Sequence, residues 1–165
     1  MGKTRQKFVG LNILLDGIGN VGVSKSVEVP KIEYLTVERT GAMAMEEVLP
    51  LIKAMSAKIV LNEWNPLAFT AASNLFGNGT LIICKGSTIQ DGKAIPVMAT
   101  LGGHVKVIEN PFPEEGKEVE MTLEIAVTSY GLLLNNIPVI AIDIPNLVCV
   151  IGGVDLYADL RAHIL

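Results

Sequence analysis

Charge is scarce in this 165-residue chain. Only 18% of its residues are Asp, Glu, Lys or Arg, against roughly 25% in an ordinary soluble domain, and half are hydrophobic. That balance excludes a disordered chain, which needs the opposite composition. The 13 Lys and Arg are outnumbered by 17 Asp and Glu and form no basic stripe. A protein that grips nucleic acid by neutralising phosphates is therefore not expected. Long apolar runs are missing too. A spanning helix needs about 18 or more consecutive apolar residues. The best candidate, 137–151, is broken by Pro138, Asp143, Pro145 and Asn146. Lys3, Arg5 and Lys7 ahead of the apolar stretch 8–15 imitate the start of a signal peptide. Asp16 ends that stretch with no small-residue cleavage site, so neither a signal peptide nor a membrane anchor is expected.

Cysteine and histidine number two each. Cys84 and Cys149 stand alone in apolar, strand-like segments, so they read as buried free thiols rather than a zinc or redox pair. His104 and His163 lack the spacing of metal-ligand pairs. Nucleophile-elbow and P-loop patterns are absent. Gly17, Gly19 and Gly22 spell G-x-G-x-x-G after an apolar strand. A dinucleotide site needs a helix opening there, but β-branched residues follow up to Pro30, so a turn between strands is expected. The chain presents no catalytic residue, cofactor site or metal site. A small nucleotide-binding β-barrel using Gly17–Gly22 is the rival reading from another functional class.

What is present is periodicity of two. From Glu118 to Tyr130, Val119, Met121, Leu123, Ile125 and Val127 alternate with Glu118, Glu120, Thr122 and Glu124, the signature of a half-buried antiparallel strand. Residues 56–62 alternate likewise, with Ala57, Ile59 and Leu61 on one face. Further strands are expected near 9–15, 21–29, 32–38, 80–85, 94–109 and 138–144, with Asp91-Gly92 as a hairpin turn. Helix is expected over 66–76, capped by Asn65 and ended at Gly77 with a Leu67, Ala71, Leu75 stripe. A second helix is expected over 155–164. The fold class is mainly β: an antiparallel sandwich or barrel with one or two short helices, in one domain over 1–165.

Two segments stand apart. Residues 39–54 lack the period of two and contain Gly41 and Pro50, yet carry Met43, Met45, Leu49, Leu51 and Ile52. This reads as a long apolar loop from Arg39 onward that buries itself in a neighbouring chain. Residues 109–124 carry six glutamates against Lys117, a solvated acidic face.

Leu11-Asn12, Gly22-Val23, Val27 and Pro30-Lys31 resemble the opening of the major tail tube proteins of contractile-tailed bacteriophages, the P2-like family. Arg39-Thr-Gly41-Ala-Met43 is similar to that family's arginine, glycine and methionine segment, with fewer glycines. Ile142-Asp143-Ile144, Gly153-Val154-Asp155, Arg161 and Ile164 resemble its C-terminal signature. The resemblance spans nearly the whole chain. It implies a structural, non-enzymatic subunit of hexameric rings stacked into the inner tube of a contractile tail. Strands of neighbours join there into one barrel around a lumen through which DNA passes. It implies as partners other copies of the chain, the sheath, baseplate or hub and tape-measure proteins, and double-stranded DNA in transit. The place is the virion, after synthesis in the host cytoplasm. A bacteriocin or secretion-system tube subunit shares the same assembly. On this reading Arg39, Gly41, Met43, Met45, Leu49, Leu51 and Ile52 reach the adjacent subunit, and Glu118, Glu120, Thr122 and Glu124 line the lumen, repelling DNA.

Overall fold

The computed structural model describes residues 2–15, 18–20 and 24–165. Their strands are β1 (Lys7–Leu15), β2 (Ile18–Asn20), β3 (Ser24–Glu28), β4 (Tyr34–Arg39), β5 (Met45–Ile52), β6 (Met55–Leu61), β7 (Thr80–Gln90), β8 (Lys93–Glu109), β9 (Met121–Leu134), β10 (Ile137–Asp143), β11 (Val148–Ile151) and β12 (Val154–Asp155). The helices are α1 (Pro66–Ala72) and α2 (Ala158–Ile164). The mainly antiparallel β expectation holds.

Every described strand pairing is antiparallel. The long strand β9 organises the sheet. Its first half pairs with β6, its second half with β10, and β8 runs along its other side. One path therefore runs β3–β6–β9–β8–β7–β1, and a branch continues β10–β11–β12. The first path curls until β1 and β3 lie against each other. Among the described residues no ladder joins those two strands, and the barrel that the sequence suggests is not closed by them; β1 pairs there only with β2, at Leu14 and Leu15, so the two facing edges offer backbone groups to a further strand.

Alternation places the core. Ala57, Ile59 and Leu61 of β6 and Met121, Leu123, Ile125 and Val127 of β9 are buried on one face. Ile13, Ile82, Leu101 and Val105 meet them from β1, β7 and β8. Two-residue turns set the registers. Asp91-Gly92 joins β7 to β8 and Asn135-Asn136 joins β9 to β10, all four residues at positive φ, as the tight turn that matches strand twist requires. In β8 the register slips between Gly102 and Gly103. A Cβ at Gly103 would stand 2.0 Å from the Ala126 carbonyl oxygen, so only glycine lets the two backbones approach there.

The helices differ from expectation in extent. Asn65 caps α1 by accepting from the Leu67 N–H at 2.9 Å. The helix ends at Ala72 rather than running to Phe76. Its buried face is Ala68 and Ala71, while Leu67 and Leu75 are exposed.

The stretch 39–54 also departs from expectation. It is not an irregular loop: Met45–Ile52 is a strand that pairs with β4 in a two-stranded ribbon separate from the main sheet. The pairing jumps from Tyr34–Ile52 to Thr36–Val48, so Leu35 faces Leu49, Pro50 and Leu51 together. Such a bulge tolerates a proline without an amide donor. Burial still alternates through it, with Glu47, Leu49 and Leu51 half-buried and Val48 and Pro50 exposed; the period of two is hidden in the sequence because apolar residues occupy both faces.

Candidate assembly surfaces

The β4–β5 ribbon is anchored at its base and exposed toward its tip. At the base, the Ile52 N–H donates to the Tyr157 hydroxyl at 3.0 Å, and the Lys53 N–H donates to the Glu33 carbonyl at 2.8 Å. Leu51 and Ile52 pack partly buried against the core. Tyr157 is itself buried beside α2, and Asp155 pairs with Arg161 at 2.8 Å. Arg161 also donates to the Leu147 carbonyl at 2.9 Å. The hydrogen bond that Arg161 donates to Asp155 holds the Asp155 carboxyl below the usual aspartate range. The C-terminal segment thus fixes the ribbon's foot, a role for Tyr157 that no spacing in the sequence signals.

Toward the tip, Met43 is 82% exposed and Met45 57%. The predicted apolar set therefore divides: Leu51 and Ile52 serve the base, Leu49 is half-buried, and Met43 and Met45 face outward with Gly41. Cross-strand pairs sort the two ribbon faces. One face carries Val37, Met45 and the Arg39–Glu47 ion pair at 2.8 Å. The other sets Glu38 directly opposite Glu46. Like charges in that position repel, and among the described residues neither carboxylate has a cation within ion-pair distance.

The glutamates of 118–124 lie away from the core. Glu118 and Glu120 precede β9 rather than belonging to it, while Thr122 and Glu124 are half-buried on its outward face. Lysines from neighbouring strands interleave with them. Lys25 pairs with Glu120. This contact raises the Lys25 ammonium above its ordinary range, and Glu118 adds to the effect. Lys58 stands in register between Glu124 on β9 and Glu28 on β3, and Lys106 donates to Ser56 at 2.8 Å on the same face. The surface is charge-mixed, not purely acidic, because strands distant in sequence bring their lysines to it.

A groove of about 600 Å³ opens between β1 and β3. Its floor is Cys84, Ala99 and Leu132, its walls include Phe8 and Val29, and Lys85 stands among its lining residues. The Phe8 ring lies where a Cβ at Gly86 would stand, 2.3 Å away. The N-terminal segment is held over this end. Thr4 donates its N–H and hydroxyl to Asp91 at 3.0 and 2.7 Å.

Chemistry-bearing groups do not converge. His104 and His163 sit on β8 and α2 respectively, and no group of three or more metal-ligating side chains occurs among the described residues. Cys84 and Cys149 are buried free thiols, and burial pushes the Cys84 thiol up to about 11. The glycine motif lies largely outside the described residues: Gly17 and Gly22 are not described, and Gly19 falls in the backbone of β2. Among the described residues, no helix is long and apolar enough to cross a membrane.

Comparison with known proteins supplies the remaining finding. Residues 5–164 match the protein family described as phage tail tube protein FII. The tail tube protein of Escherichia phage P2 is 24% identical over 169 residues, an alignment covering 96% of each chain.

Proposed function

The chain belongs to the phage tail tube protein FII family, a structural component of a phage tail and not an enzyme, and we propose that it forms hexameric rings stacked into the inner tube of a contractile tail. One domain over 1–165 builds the ring wall, and the β4–β5 ribbon reaches the adjacent subunit or ring. The observation that carries this reading is the ribbon: a two-stranded element anchored at its foot, with methionines exposed at its tip. A stable monomer gains nothing from such an element, whereas a ring subunit buries it. The facing edges of β1 and β3 support the same reading, since strand addition by a neighbour satisfies their open backbone groups.

The lumen is proposed to be lined by the face that carries Glu118, Glu120, Thr122 and Glu124. Its glutamates and interleaved lysines make a near-neutral wall that offers phosphate no continuous basic track. Charges of that kind are screened beyond about 8 Å at physiological salt, so DNA slides without specific binding. Sheath, baseplate or hub and tape-measure proteins are the further partners, and synthesis takes place in the host cytoplasm before assembly into the virion. Negative-stain electron microscopy of the purified protein tests the proposal. Rings with sixfold averages, alone or stacked, are expected; a monodisperse monomer at all concentrations overturns it.

A further inference from the structure

We propose that Asn78 is a site of spontaneous deamidation, where the chain converts its own side-chain amide to a carboxylate with time. The site stands whether or not the chain assembles into a tube.

Asn78 directly precedes Gly79, the one Asn-Gly step in the sequence. Asparagine is among the chemically labile residues, and the residue after it sets how labile. The backbone nitrogen of that residue is the nucleophile, and a side chain there hinders its approach to the amide carbon. Glycine carries none and turns freely. Asn65 and Asn110 precede prolines, whose nitrogens have no proton to lose. The other asparagines precede Ile, Val, Glu, Leu or Asn.

The fold exposes this step and also requires it. Asn78 is exposed in the turn between α1 and β7, and its side-chain amide makes no hydrogen bond with a described residue. Gly79 has a φ of +77°, and a Cβ there would stand 2.3 Å from the Gly103 carbonyl oxygen. Asn74 Nδ2 donates to the Gly79 carbonyl at 2.9 Å and steadies that approach. A larger residue at 79 would shield Asn78 but would force β7 away from β8. Asp91-Gly92 is the same step with a carboxylate in place of the amide. There the Thr4 hydroxyl and N–H donate to the carboxylate and hold its pKa below the usual aspartate range. A carboxylate anion resists attack by an amide nitrogen. Asp16-Gly17 lies outside the described residues.

The chemistry needs only water. The Gly79 nitrogen gives its proton to water or hydroxide and bonds to Asn78 Cγ. The Cγ–Nδ2 bond breaks, Nδ2 leaves as ammonia, and a five-membered succinimide closes. Water then opens the ring at either carbonyl. One opening gives aspartate. The other gives isoaspartate, whose main chain runs through Cβ and Cγ. Each conversion consumes one water, releases one ammonia and adds one negative charge.

Isoaspartate has the larger structural effect, because it lengthens the main chain directly before Gly79 and Thr80. Gly79 is pressed against Gly103. Thr80 is buried, and its hydroxyl donates to the Ala71 carbonyl at 3.1 Å, a tie between β7 and α1. Conversion therefore loosens this corner of the fold.

Peptide-mapping mass spectrometry tests the proposal on the full chain, kept dilute and unassembled, after warm incubation at mildly alkaline and mildly acidic pH. A gain of one dalton is expected at Asn78, faster at the alkaline pH, with isoaspartate among the products. Asn78→Gln, whose longer side chain closes the ring poorly, should fold as wild type and lose that gain. Aged wild-type protein should exchange the Thr80 amide hydrogen faster than fresh protein does, and aged Asn78→Gln protein should not. A peptide spanning 73–82 serves as the unfolded reference. An unchanged Asn78 in the chain while that peptide converts overturns the proposal, as does conversion spread evenly over the asparagines.

Discussion

Met43 and Met45 give the sharpest test of assembly. Fully burying a methionine side chain is worth about 1.5–3 kcal/mol. Met43 is 82% exposed and Met45 57%, so covering what remains exposed is worth about 2–4 kcal/mol for each ribbon. At about 1.4 kcal/mol per factor of ten, losing that burial weakens each contact by roughly 30- to 1,000-fold. Aspartate at both positions removes the apolar area and adds charge beside Glu46 and Glu47. The monomer should hardly notice, because exposed positions without partners shift stability by about 0.5 kcal/mol or less. Met43→Asp/Met45→Asp protein should therefore melt as a dilute monomer does, yet form no tubes by electron microscopy or sedimentation. Met43→Ser/Met45→Ser separates the two effects: it loses the apolar area without adding charge, and should raise the assembly concentration strongly without abolishing assembly. Normal-length tubes from the aspartate variant at wild-type concentrations would refute the reasoning.

Three further outcomes follow from named contacts. Tyr157→Phe removes the acceptor for the Ile52 N–H and should cost about 1 kcal/mol. It should speed hydrogen exchange at the Ile52 amide, leaving the exchange of β9 core amides slow relative to it; unchanged exchange at Ile52 counts against the anchoring role. Gly103→Ala drives a Cβ to within 2.0 Å of the Ala126 carbonyl oxygen and should destabilise the chain by about 3 kcal/mol, read as a lowered unfolding midpoint in urea. Asp155 has a carboxyl pKa depressed in the fold, first by its hydrogen bond with Arg161. Its contribution is therefore present above the unfolded pKa of about 3.9 and is lost as pH falls through the lower folded value. Arg161→Gln should flatten the acid limb of stability below about pH 4 relative to wild type, measured by denaturant unfolding at stepped pH.

Much of the architecture was legible as pattern. The alternations over 56–62 and 118–130 located β6 and β9, although β9 itself runs Met121–Leu134, and their buried faces follow from the side-chain period of two. Asp91-Gly92 announced its turn, and Asn65-Pro66 announced the start of α1, because those residue types carry local backbone preferences. Asn135-Asn136 carried a turn signal of the same kind that went unread. The ribbon strand Met45–Ile52 escaped because apolar residues stand on both of its faces, Val48 exposed and Leu49 and Leu51 half-buried, so no polar–apolar alternation marks it. The end of α1 escaped because the chain caps at Ser73, whose N–H and hydroxyl close on the Phe69 and Thr70 carbonyls, before Gly77 is reached.

The candidate surfaces divide along the same line. That this chain has apolar surface to spare, little charge, and no constellation for chemistry is a property of composition and spacing, and needs no coordinates. Which apolar residues remain outside the core is a matter of tertiary placement. Ile52 and Met45 look alike in the sequence, but the first sits over Tyr157 and the second faces outward. The glutamates of 118–124 look like an acidic stripe until β3, β6 and β8 bring Lys25, Lys58 and Lys106 beside them. A strand's own alternation says which side chains share a face. Only the pairing of distant strands says what stands next to them, and the charge and fit of an assembly surface are set by those neighbours.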